Sequence, residues 1–214
     1  MATAEQFWEA ARAGDTERLG ALLEEDATLL NARNDQGQSA ILLAKYHRKQ
    51  EAVDYLAARR PDLTLHEACA VGDLAAVKLS IKDRDKHSKD GFTPLALACF
   101  FSNEAVAAYL VDQGANINLA ATNAMMVAPI HAAVAARQFG IVRMLVENGA
   151  DVNARQQQGW TPLHAAAQNG DEETVKLLLK SGADRAARSD TGQTAMDLAM
   201  GKGFGGVVGL LDGR

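Results

Sequence analysis

Cysteine occurs only twice in this chain, at Cys69 and Cys99. Two thiols cannot build a disulfide framework, and no Cys/His cluster has metal-ligand spacing. Neither a metal nor a cofactor is expected. No apolar run approaches the roughly 20 residues of a membrane-spanning helix. The opening Met1-Ala-Thr-Ala-Glu-Gln has neither the basic stretch nor the apolar core of a signal peptide, so a soluble cytoplasmic protein is expected. Charge of one sign is also missing: 22 Lys and Arg are interspersed with 27 Asp and Glu, for a net charge of −5. A nucleic-acid partner would call for a basic face or stripe, and none is visible. The densest charge run, Lys82 to Asp90, alternates in sign and reads as a solvated loop. Aromatic residues are scarce, at 5 %. Alanine is plentiful instead, and small side chains let helices stack closely.

What is present is repetition. Gly91-Phe-Thr-Pro-Leu-Ala-Leu-Ala, Ala128-Pro-Ile-His-Ala-Ala and Gly159-Trp-Thr-Pro-Leu-His-Ala-Ala place prolines at 94, 129 and 162, spacings of 35 and 33 residues. Within the clearest unit, Thr161 is positioned to cap a helix that Pro162 opens, where a missing N–H costs nothing. His164 can reach back to that first turn. Ala165, Ala166 and Ala167 permit close packing, and Gly170 ends the helix. Asp171 starts a second helix whose Val175, Leu178 and Leu179 share one face. Gly182 stops it, and Ala183-Asp184 leads outward. The same grammar recurs at Gly14-Asp15 and Gly72-Asp73, with Asn103 in the matching place, and at Gly114-Ala-Asn and Gly149-Ala-Asp.

A period near 33 with a Thr-Pro-Leu-His opening resembles the ankyrin repeat. The resemblance covers the chain from about Ala4 to Leu211 and is most specific between Gly91 and Asp197. It implies an all-α solenoid of about seven stacked helix-turn-helix units with short β-hairpin-like turns between them. Aligned on the proline position, the units carry Gln6, Ala40, Thr64, Pro94, Pro129, Pro162 and Ala195, at intervals of 34, 24, 30, 35, 33 and 33. As one domain over 1–214, the units are approximately 4–36, 37–61, 62–90, 91–124, 125–157, 158–190 and 191–214. The interval of 24 is nine short of 33, so one early unit should lack its hairpin. The interval of 35 carries two extra residues near Ala120 to Met126. The final unit holds Gly201, Gly203, Gly205, Gly206 and Gly209, and a frayed C-terminal cap is expected. A hairpin-less early unit also resembles ankyrin proteins of bacteria.

In such stacks the hairpin tips and inner helices form the concave face that meets partners. The resemblance therefore implies partner contacts at Tyr46, His47, Arg48, Phe92, Phe100, Phe101, Met125, Met126, Val127, Arg155, Gln157, Gln158, Trp160, Gln168 and Asn169. Phe100, Phe101, Met125, Met126 and Trp160 fall in consecutive units and would make an apolar stripe; inward-turned phenylalanines, or a Trp160 that covers only its own hairpin, are the bland alternatives. His66, His131 and His164 hold the Thr-Pro-Leu-His slot and read as structural hydrogen bonders rather than catalytic groups. No nucleophile signature appears. Gly201 to Gly206 does not complete a phosphate-loop pattern. Glu24-Glu25 and Glu172-Glu173 lie near helix starts or on solvated faces, so no catalytic residue is expected. The resulting expectation is a monomeric, non-enzymatic scaffold that binds another protein. A ligand-responsive regulator or enzyme using Tyr46, His47 and Arg48, and an end-to-end self-assembling protein, are the alternatives.

Overall fold

The computed structural model describes residues 2–213; Met1, which opens the expected leaderless N-terminus, and Arg214, which ends the expected last unit, lie outside them. Among the described residues are fourteen α-helices. They run in close pairs: α1 (Ala4–Ala13) with α2 (Thr16–Glu25), α3 (Ala40–Tyr46) with α4 (Gln50–Ala57), and α5 (Leu65–Val71) with α6 (Leu74–Leu79). Next come α7 (Pro94–Phe100) with α8 (Glu104–Asp112) and α9 (Pro129–Ala135) with α10 (Phe139–Glu147). The series closes with α11 (Pro162–Asn169) against α12 (Glu172–Lys180) and α13 (Ala195–Lys202) against α14 (Gly205–Asp212). The odd-numbered helices stack on one another as an inner row, and the even-numbered ones lie outside them. This is the all-helical solenoid expected from the repeat. The hairpin-like connections are tight turns, with an isolated bridge between Arg33 and Ser39.

Two slots on the inner row explain the stacking. One residue past the proline position stands Phe7, Ile41, Leu65, Leu95, Ile130 or Leu163, all buried. Three residues further, Ala10, Ala44, Ala68, Ala98, Ala133, Ala166 and Ala199 are each at most 1 % exposed. A large side chain and an alanine on the same helical face, a turn apart, let each helix press its bulk against its neighbour's backbone. Each fully buried leucine-sized side chain contributes about 1.5–3 kcal/mol.

Helix ends follow the sequence signals, with two corrections. Gly14, Gly72 and Gly170 are left-handed caps, and Asp15, Asp73 and Asp171 accept the next helix's N–H groups. Thr161 sits at its N-cap but does not cap directly: its backbone N–H and hydroxyl both donate to His164 Nδ1, at 3.2 and 2.8 Å. Asn103 likewise makes no cap bond; its amide donates to the Cys69 and Ala70 carbonyls at 2.8 and 2.9 Å, tying α8 to the preceding inner helix. The last pair forms both helices despite its glycines, and Val207 and Leu211 are buried.

The stack has one seam. Leu65 through Leu211 share one hydrophobic core, and Phe7 through Leu56 share another; the half-buried Leu63 packs on both. Contact is thinnest between α3 and α5 in the inner row and between α4 and α6 in the outer row. A hollow of about 420 Å³ opens there, lined by Val53, Ala57, Leu63 and Val71 among others. The seam falls where the interval shrinks to 24, because the connection at Arg59 to Thr64 has no room for a tip. Arg60, only 5 % exposed, fills the place instead and meets the fully buried Glu67 at 3.1 Å.

Candidate partner-binding groove

Five tips project beside the inner row, each closed by a hydrogen bond from its fourth residue to its first: Gly37 to Asn34, Gly91 to Ser88, Met126 to Asn123, Gly159 to Gln156 and Gly192 to Ser189. Four of the fourth residues are glycines, and all five have positive φ. Met126 is the exception in kind: at φ 49° it holds a conformation that bulky side chains rarely adopt. The two extra residues lie at its loop, where Ala121 pairs with Val127 across six positions; Ser88 pairs with Phe92, and Gln156 with Trp160, across four.

Neighbouring tips are laced together by backbone bonds of 2.9 Å, from Thr122 N–H to Gly91 O, Gln157 N–H to Met125 O and Asp190 N–H to Gln158 O. The missing tip before α5 changes the lacing at the other end. The tip before α3 meets the tip before α7 instead, with Gln38 Nε2 donating to Asp90 Oδ2 at 3.1 Å. Gly37 lies so close to Lys89 that a Cβ there would stand 2.4 Å from the lysine side chain. Tyr46 likewise passes over α5: its hydroxyl donates to Asp90 at 3.4 Å, and its ring centroid lies 5.3 Å from Phe101. Burial, and the Asp90 carboxylate beside it, push the phenol pKa up, so Tyr46 stays protonated and donates.

The charged loop is therefore more than a solvated connection. Asp90 ties α3 and its tip to the tip before α7. Asp85 accepts from Asn116 N–H at 2.7 Å, and His87 Nε2–H donates to Ala120 O at 2.9 Å. These partners belong to neighbouring turns, which a run of alternating charges does not announce.

The bridging leaves an apolar cavity of about 490 Å³ walled by α3, α7, α9 and the tips. Leu43, Tyr46, Ala96, Phe100, Met125 and Ala135 are among its lining, and no residue of α5 is. Two hollows adjoin it. One, of about 310 Å³, shares Phe100 and is lined by Phe101, Lys45, Arg48 and Lys49. The other, of about 220 Å³, shares Met125 and reaches Gln157, Gln158 and Trp160.

The sequence-derived candidates thus divide. Tyr46, His47, Phe92, Phe100, Met125 and Val127 line the central cavity. Arg48 and Phe101 line the first flank, and Gln157, Gln158 and Trp160 the second. Phe101 turns half inward, 5.1 Å from Phe100 edge to face, while Phe100 is 46 % exposed. Trp160 is half-buried beside the His164 ring. Met126 is exposed at its tip and lines none of these hollows. Arg155 donates to the Arg188 carbonyl at 3.0 Å, and Asn169 to the Val134 carbonyl at 3.1 Å, so both hold neighbouring turns together. Gln168 is exposed and also lies outside these hollows.

Sequence reasoning missed Leu43 and Ala96 as cavity walls and Lys45 on the adjoining flank. Lys45 carried a signal: its slot on α5, α7, α9 and α11 holds the buried Cys69, Cys99, Val134 and Ala167.

The slot histidines are structural. His131 Nδ1 accepts from Ala128 N–H at 3.2 Å, and its Nε2–H donates to Ala154 O at 3.0 Å. His164 repeats this between Thr161 and Gln193 O. Burial lowers the pKa of both rings. Protonating Nδ1 would also turn it from acceptor into a donor facing an N–H. Cys69 and Cys99 are buried free thiols whose pKa burial pushes up.

A family model described as ankyrin repeats in three copies matches residues 65–156 and again 130–212. Comparison with curated proteins gives no match. Ankyrin repeats are generally protein–protein interaction modules and typically non-enzymatic. The paired helices, the left-handed glycine caps, the histidine-braced tips and a match to over half of its length show that the chain belongs to the ankyrin repeat family.

Proposed function

We propose that this protein is a scaffold that binds another protein across the tips and inner helices, as one array with the unit boundaries laid out from the sequence. The carrying observation is the distribution of exposed apolar side chains. Of the five large hydrophobic residues left exposed among the described residues, Phe100, Met125 and Met126 stand on this face; Leu79 ends α6 in the outer row. Met200 stands apart from them, in the slot that Cys99 and Val134 occupy as buried residues on α7 and α9, on the last inner helix among the described residues. Exposed methionine and aromatic side chains on a rigid frame suit partner contact, because little conformational freedom is lost on binding. Phe100 and Met125 would be anchors, with Gln157, Gln158 and Gln168 as polar rim. Arg155 and Asn169 would support the frame.

The test is affinity capture from the native host with the parent chain and with Phe100→Ala plus Met125→Ala. The expected result is a specific partner lost with the double variant while the helical circular-dichroism signal is unchanged. Equal capture by both proteins overturns the proposed anchors.

A further inference from the structure

We infer that the cavity between α3, α7 and α9 is a binding site for a small apolar organic anion, an aliphatic or aromatic carboxylate whose hydrocarbon body fills the cavity and whose charge is met by Lys45 and Arg48. This goes beyond the protein-binding role and does not rest on it.

Size and lining favour a small molecule. About 490 Å³ lies within the range of small-molecule pockets. Among its polar lining residues, His131 has both ring nitrogens engaged, and Gln38 is bonded to Asn34 and Asp90. His47 Nδ1–H already donates to Leu43 O at 2.9 Å. Apart from the Gln156 amide, such walls have little to offer the N–H and C=O groups of a peptide backbone, whose burial without partners is costly, but they suit hydrocarbon.

Charge then selects an anion. The flank sharing Phe100 presents Lys45, Arg48 and Lys49, and no carboxylate lines it, although the chain as a whole is acidic. Lys45 stands in a slot that other inner helices fill with small apolar residues, and its ammonium lies 5.6 Å from the Phe101 ring centroid. Its polar contact is Gln50, at 3.5 Å. Desolvation holds its pKa below the usual lysine range, outweighing the attraction of Asp54. An anion beside it would restore what burial removes. Arg48 is exposed at the turn after α3, next to the same flank.

The experiment uses 1-anilinonaphthalene-8-sulfonate, an aromatic anion, as a fluorescent probe on the full chain. Its emission should saturate with one site per chain, and decanoate should displace it about tenfold more effectively than decan-1-ol, the magnitude of one charge-assisted contact. Ala135→Trp fills the cavity from its exposed rim and should abolish the signal, with circular dichroism checking the fold. If that variant misfolds, Ala135→Leu should still weaken dye binding. Lys45→Gln with Arg48→Asn should weaken dye binding without abolishing it and bring the acid and the alcohol to near-equal displacement. No saturable emission, emission indifferent to both Ala135 variants, or equal displacement by acid and alcohol on the parent chain would each overturn the site.

Discussion

His131 and His164 show how one residue can brace a helix start and join two turns at once. Each uses Nδ1 to accept from the start of its own helix and Nε2–H to reach a carbonyl of the following turn. That arrangement requires the neutral ring. Because burial lowers both pKa values in the folded state, the unfolded chain takes up protons first as pH falls. Stability is complete above the unfolded value of about 6.5 and declines below it. The urea midpoint should therefore drop between pH 7 and pH 5. Replacing both with glutamine, which can still reach back to the N-cap, should remove most of that slope. His66, whose pKa burial also lowers, supplies the remainder. The structural role was legible from the repeated slot, but the acceptor on the next turn was not. Met126 belongs at this scale too. A methionine at φ 49° where the other tips carry glycine is strained by about 1 kcal/mol or more. Met126→Gly should raise thermal stability by about that amount. A thermal midpoint unchanged or lowered would show that its side chain makes offsetting contacts.

At the scale of elements, the repeated motifs marked helix starts and stops because capping is local. The glycine-rich last pair is different: packing overrides propensity. Val207 and Leu211 are buried on the preceding pair, which offsets the entropy that glycine loses on becoming helical. Gly201 and Gly209 lie inside helices with negative φ and open space where a Cβ would go. Alanine at either position should stabilise by about 0.5–1 kcal/mol, read as slower amide exchange in α13 for Gly201 and in α14 for Gly209. Gly206 would not behave so simply, since its Cβ would meet Glu172 at 1.9 Å. On the inner row, the invariant alanine slot leaves no room for growth. Ala133→Leu should cost about 1–3 kcal/mol by overpacking, measured by chemical denaturation.

The whole molecule is divided by the seam before α5. Glu67 bridges it: Oε1 takes Arg60 at 3.1 Å and Arg33 at 3.3 Å, and Oε2 takes the Thr64 N–H and hydroxyl. Burial pushes this carboxyl's pKa up, but bonds from Ser39 and Thr64 and the Arg60 charge bring it below the usual value. Glu67→Gln leaves the buried Arg60 with the exposed Asp62 carboxylate, at 3.5 Å, in place of its buried counter-charge, at a cost of about 3 kcal/mol. Because a solenoid's coupling passes mainly between neighbouring pairs, the loss should fall mainly on α1 to α4. Trp8 packs on the N-terminal core, and Trp160 stands beyond the seam. In single-tryptophan backgrounds, the Trp8 transition should move to lower urea while the Trp160 transition stays in place. Coincident shifts would show a single cooperative unit.

The sequence by itself determined the helices, their caps and the repeat, because those signals act within a few residues and recur at one period. Its shortest interval also marked where a tip is missing. Only the tertiary structure decided what that omission does. With no tip before α5, Gln38 and Tyr46 reach Asp90 across it, the core parts in two, and a cavity forms between helices that a regular stack would separate. Those contacts join residues 44 to 52 positions apart. Nothing local in the chain encodes them; they follow from which surfaces remain to be buried once neighbouring pairs have stacked.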